Sequence, residues 1–257
     1  MRIGNPAVRR YVKKAESGAL SGSDRRASYL GVYLKAAMYA VLTIVAAVAT
    51  ELLVLHFLKT GNGNALLTVG IAAMSCFVPL LIISLVIVFV PSTAKVLGFI
   101  YAAIQGGLLG LLATFVDLFF PGIAFAAFLG TAIVFLVAIV VNSVFKVKIS
   151  SNFVRGLMVA LISLVALEFF MWILSLFGVF SFTQYMWIQI GVSALCVVWA
   201  TVMLFWDLNN IDYIVQAGAD KCYEWNVAFS LVTTLIYMYV EILELLVRFA
   251  ALFSRNN

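Results

Sequence analysis

Seven apolar stretches, each long enough to cross a bilayer as a helix, take up most of this chain and decide what it can fold into. A hydrocarbon core about 30 Å thick needs about 20 helical residues, each rising about 1.5 Å, because lipid leaves no partner for an unpaired backbone group. The stretches run from Leu34 to Leu58, Ala65 to Val90, Val96 to Phe115, Gly122 to Phe145, Phe153 to Phe177, Met186 to Trp206 and Val227 to Phe253. Only 11% of the residues are charged, against about a quarter in a soluble domain, too few to cover a water-exposed surface. The reading is an all-α integral membrane protein with seven transmembrane helices in one domain.

The breaks hold residues that lipid excludes or helices absorb poorly: Lys59 with Gly61 and Gly63, Pro91 before Lys95, Pro121, the Lys146 to Ser151 segment, and Gly178 to Gln184. Pro79 falls inside the second stretch, where a proline kinks a helix and frees a carbonyl. Gly106 and Gly110 make a GxxxG spacing in the third, which points to close helix packing before it points to a ligand. The expected organisation is a basic cytoplasmic segment over residues 1–33, a membrane domain over 34–253 and a short tail over 254–257.

Arg2, Arg9, Arg10, Lys13, Lys14, Arg25, Arg26 and Lys35 precede or open the first stretch. In a soluble protein the net charge of +5 would suggest nucleic acid; here its location marks a cytoplasmic end, and nucleic acid is not an expected partner. With the N-terminus inside, Lys95, Lys146, Lys148, Arg155 and Lys221 also fall inside and only Lys59, Arg248 and Arg255 outside, which satisfies the positive-inside rule. Seven spans then put the C-terminus outside. The polar stretch ahead of the first span argues against a cleaved signal peptide. Val8, Tyr11, Val12 and Ala15 stand at i, i+3, i+4 and i+7 among basic residues, so this region reads either as a short surface helix or as a basic tail that fixes topology.

A carboxylate at mid-membrane costs roughly 2.5 to 3.5 kcal/mol on insertion scales, so acids inside apolar runs are functional candidates. They are Glu51, Glu168, Asp207, Glu241 and Glu244. Arg248, one turn after Glu244, has the spacing of an ion pair within one helix. Glu168 fits either a cavity lining or a lone acid in a helix interface, and Glu51, with His56 five residues on, reads as interfacial. Asp207 in LFWDLNNIDYI and Glu241 in YMYVEILELL carry the sharper signal. Ile211, Ile214 and Val215 extend an apolar stripe past Asp207, and Gly218 is placed to end that helix. Without such an extension the two carboxylates miss each other.

Tyr185, Trp187, Tyr223 and Trp225 read as interfacial aromatic belts. Cys76, Cys196 and Cys222 define neither a disulfide framework nor a zinc site. No phosphate loop, HExxH, GxSxG or GxGxxG motif occurs, and the single histidine leaves Ser-His or metal catalysis without materials. The GxGD motif of intramembrane aspartyl proteases is absent too. The expectation is a non-enzyme without a cofactor.

The two acidic segments resemble the C-terminal signature of the Bax inhibitor-1 family, also called the transmembrane Bax inhibitor motif family. In that family an aspartate in a YDLNxI-like segment precedes one in a LYLDxINLF-like segment. Asp207 matches the first and Glu241, with glutamate substituted, the second. NPAV at Asn5 to Val8, YAAIQGGLLG at Tyr101 to Gly110, GTAIVF at Gly130 to Phe135 and EWNVAFSLVTTLIYMYVEIL at Glu224 to Leu243 are similar to its YccA-like bacterial branch.

The resemblance implies a last helix surrounded by the other six, a bacterial cytoplasmic membrane, and a pH-sensitive path for calcium gated by Asp207 and Glu241. Two carboxyls in a low-dielectric site do not readily ionise together, and such a pair titrates as a unit. Calcium prefers six to eight oxygens, so the pair needs waters or carbonyls to complete a site. Family members carry a basic latch on the second helix, whereas Ala65 to Val90 has no Arg or Lys; either Arg248 takes that role or this branch lacks it. Gln105 stands where related bacterial sequences tend to have glutamate. The alternative role is a non-transporting modulator of a membrane protease or another membrane complex.

Overall fold

The computed structural model describes residues 26–61, 63–145, 147–178 and 180–254. The Val8 to Ala15 stripe and the NPAV segment lie outside the described residues. Seven helices follow in order: α1 Tyr29–Thr60, α2 Gly63–Phe89, α3 Ala94–Phe119, α4 Ile123–Phe145, α5 Ser151–Leu176, α6 Phe182–Gln216 and α7 Cys222–Ser254. A 3-10 turn at Pro91–Thr93 links α2 to α3. All seven are long and apolar enough to cross a membrane, as the seven apolar stretches require.

The helix ends follow local chemistry. Ser28 caps α1 with its hydroxyl accepting the Gly31 N–H at 3.0 Å, and Ser150 does the same for Phe153 at the start of α5. α2 runs unbroken through Pro79. The stripe past Asp207 does extend α6, to Gln216. There Gly218, at φ 61°, lets its N–H reach the Val215 carbonyl and the Ala219 N–H reach that of Ile214, a Schellman closure.

The described residues form two compact units. In the first, residues 26–121 with 210–233, α1 and α3 pack along their length. The buried face of α3 repeats every fourth residue as Ala94, Gly98, Ala102, Gly106, Gly110 and Thr114. A Cβ on Gly106 would stand 2.3 Å from the Thr43 carbonyl oxygen, and one on Gly110 would stand 2.1 Å from that of Ala47. The GxxxG spacing therefore serves backbone-to-backbone approach, which membrane helices use where apolar burial alone gives no driving force between them. Gly98 leaves room for Tyr39, whose hydroxyl donates to the Ala94 carbonyl at 2.6 Å.

Around Tyr39 stand Phe99, Trp225 and Phe229 in edge-to-face contacts. Tyr223 is buried and Trp225 belongs to this cluster, so neither forms the expected interfacial belt; the helix that carries them begins five residues before Val227 and draws them into packing. Cys222 opens α7. The Asn226 amide donates to the Ile87 carbonyl at 3.3 Å, the carbonyl left without its i+4 donor because position 91 is proline.

The second unit, residues 122–209 with 234–254, contains α4, α5, most of α6 and the later part of α7. Its outer faces are apolar: Phe125, Ile133, Ile162, Val165 and Leu195 are all exposed, the pattern of helices solvated by lipid. Trp187 is exposed, in keeping with a belt position.

Candidate functional site

Asp207 lies on the second unit's part of α6, preceded by Leu204 and followed by Leu208, both at most 1% exposed. Its own exposure is 2%. A charged or neutral carboxyl so placed needs partners, and one is Thr234 of α7, whose hydroxyl donates to Oδ2 at 2.5 Å. The adjacent Thr233 spends its hydroxyl on its own helix, on the Phe229 carbonyl at 2.9 Å. Of the two threonines, then, one satisfies its helix and the other ties α7 to α6.

Glu241 follows Thr234 by seven positions, or about two turns and ~10 Å along α7. It is half-buried and sits among Tyr237, Glu244 and Arg248 of its own helix and Glu168 of α5. Cys196 of α6 interacts with both Tyr237 and Glu241. Trp199 packs edge-on against Tyr237, ring centroids 5.3 Å apart, and its buried indole N–H has no hydrogen-bond partner among the described residues. Asp207 and Glu241 thus occupy two levels of the same helix pair, the first bonded to Thr234 and the second ringed by ionisable and aromatic groups. Glu168 of α5 lies within electrostatic reach of this second level.

The Glu244 and Arg248 side chains form the expected pair within α7, at 2.9 Å. Arg248 also donates to the Gln189 carbonyl at 3.1 Å and to the Ser193 hydroxyl, so it fastens the start of α6 to the end of α7. It stands fourteen positions, about 21 Å, beyond Thr234. Arg248 reaches the surroundings of Glu241 and not the level of Asp207. Glu51 is half-buried on α1 in the first unit. Among the described residues no group of three or more His, Cys, Asp and Glu side chains is arranged to hold a metal ion.

A heavily bonded carboxylate in the first unit escaped the sequence reading. Glu224, 2% exposed, accepts from Lys35 Nζ, from the Ser28 backbone N–H at 2.7 Å and from the Ser28 hydroxyl at 3.4 Å. Lys35 also lies over the Trp225 ring, 5.0 Å from its centroid. Beside this cluster Ala27 N–H donates to the Ala219 carbonyl at 2.7 Å, in a bridge that pairs Arg26 with Asp220. The chain entering α1 is thereby stapled to the α6–α7 turn. The available signal was Asp220, whose side chain takes the Cys222 N–H at 3.0 Å and marks a helix start ahead of Glu224.

Comparison with known proteins matches residues 5–251 to the family model described as Bax inhibitor 1 like. No curated protein and no solved structure matches the chain. The match spans nearly the whole chain, including the segments around Asp207 and Glu241, and this membrane protein, with seven membrane-spanning helices among its described residues, belongs to the Bax inhibitor 1 like family.

Proposed function

We propose that this protein provides a proton-sensitive path for cations, calcium foremost, across a bacterial cytoplasmic membrane. Asp207 and Glu241 are the groups that bind the ion and sense protons. The observation that carries this reading is the Asp207 carboxyl, 2% exposed within a helix long and apolar enough to span the bilayer. Such a group is costly to retain unless ions or protons use it. Glu241, Glu168 and Glu244 supply further acidic oxygens two turns along. The basic residues ahead of α1 support a cytoplasmic N-terminus, and the odd number of spans then puts the C-terminus outside. The family resemblance supports a surrounded last helix and a non-enzymatic role.

The test is calcium entry into liposomes holding the purified protein, followed with an entrapped indicator across a pH series. Flux above that of empty liposomes, varying with pH, is the expected result. Absence of flux at every pH from folded protein overturns the transport reading and leaves the modulator role, in which the chain binds a membrane protease or another membrane complex.

A further inference from the structure

Threonines in a membrane helix commonly satisfy their hydroxyls within the helix itself. Thr43, Thr68, Thr114, Thr131, Thr201 and Thr233 all do so, each donating to the carbonyl four residues back. Thr234 departs from this habit. A hydroxyl has one hydrogen to give, and that of Thr234 goes across to Oδ2 of Asp207 on α6. The carboxyl that receives it is enclosed: Asp207, Leu204 and Leu208 on α6 are buried, and so is Met238, one turn beyond Thr234 on α7. In such apolar surroundings a hydrogen bond to a carboxylate is stronger than in water, and one to a charged group is worth more than one between neutral groups.

We infer that Thr234 is a positioning residue for the ion-binding carboxylate, holding Asp207 in the orientation and charge state that accept a cation. Its donated hydrogen fixes one oxygen of the carboxylate across the helix pair and stabilises the negative charge to which a cation is drawn. Without that donor the enclosed carboxyl is better satisfied as a neutral acid, and a cation must displace a proton to bind. Thr234 and Asp207 thus act as one unit at their level of the helix pair, with Glu241 about two turns farther along α7. The inference rests on the transport reading and adds to it the residue that prepares Asp207 for the ion.

The experiment measures initial calcium flux into liposomes against calcium concentration for wild type, Thr234→Val, Thr234→Ala and Thr234→Ser, each checked for folding by its thermal transition. Valine keeps the volume and loses the hydroxyl, whereas serine keeps the hydroxyl. Thr234→Val should raise the half-saturating calcium concentration about tenfold, as the loss of one hydrogen bond to a charged group implies, and leave the maximal rate near that of wild type. Thr234→Ala should shift it in the same direction, so that one variant suffices if the other fails to fold. Thr234→Ser should stay near wild type. A residue that only held the helices together would change the thermal transition and the amount of folded protein without moving half-saturation. Wild-type half-saturation in the folded valine or alanine variant, or a serine variant shifted as far as valine, overturns the role of Thr234 while the transport reading stands. Absence of flux from wild type overturns the transport reading and this inference with it.

Discussion

Glu224→Ala should destabilise the protein by about 3–5 kcal/mol, the usual consequence of removing one partner of a buried ion pair. At the response of a domain of this size that corresponds to a fall in Tm of roughly 10 °C. Truncation leaves the Lys35 ammonium, 16% exposed, without its carboxylate, and the Ser28 N–H without its acceptor. The ammonium would then be left over the Trp225 ring, 5.0 Å from its centroid. The double variant Glu224→Met with Lys35→Met removes both charges and refills the volume. It should recover a large part of the loss, because a buried pair is worth far less than the penalty for breaking it. Thermal unfolding in detergent checks the pattern. Single variants that cost under about 1 kcal/mol, as surface pairs do, would contradict the clamp.

Alanine at Gly110 and at Gly156 should act in opposite directions. A Cβ at Gly110 would lie 2.1 Å from the Ala47 carbonyl oxygen and 2.8 Å from its carbon. These are backbone atoms of α1, unable to swing aside as a side chain does. Gly110→Ala therefore forces α1 and α3 apart, and overpacking of this kind costs about 1–3 kcal/mol or more. Gly110→Leu should prevent the two helices from docking. A Cβ at Gly156 on α5 meets nothing within 4 Å, so Gly156→Ala should gain up to about 1 kcal/mol from helix propensity alone. Melting curves recorded side by side decide the matter, and equal shifts for the two alanines would show that the α1–α3 approach is not needed for stability.

Much of this fold was readable because lipid makes a simple demand: a helix about 20 residues long and apolar on most of its surface. The seven spans met that demand and became α1 to α7. Their ends were less legible. α1 begins at Tyr29 and α7 at Cys222, each five residues before its apolar run, because helix starts depend on the Ser28 and Asp220 side chains and not on hydropathy. The continuation of α6 to Gln216 was visible in the Ile211 and Ile214 stripe, both 1% exposed, and in Gly218 beyond it.

The site divided along the same line. Asp207 and Glu241 stood out as acids among apolar residues, and Glu244 with Arg248 as an i, i+4 pair. Thr234 did not, since a threonine in a membrane helix ordinarily bonds its own backbone, as Thr233 does. Which acid faces which side chain depends on the register between two antiparallel helices, and neither segment alone displays the Thr234–Asp207 bond that joins them. Glu224 was lost for a simpler reason: a carboxylate at the rim of an apolar run reads as solvated until Lys35 and Ser28 of a distant helix are brought to it.

Transport through a carboxylate path is tested most directly by calcium flux into liposomes for Asp207→Asn beside wild type, over a pH series and with matched amounts of folded protein. Asparagine keeps the shape of the side chain and an oxygen for the Thr234 hydroxyl but neither binds nor releases a proton. Flux in Asp207→Asn whose variation with pH is lost or displaced from that of wild type is the predicted result. A folded Asp207→Asn protein with the wild-type rate and the wild-type pH profile would contradict the account.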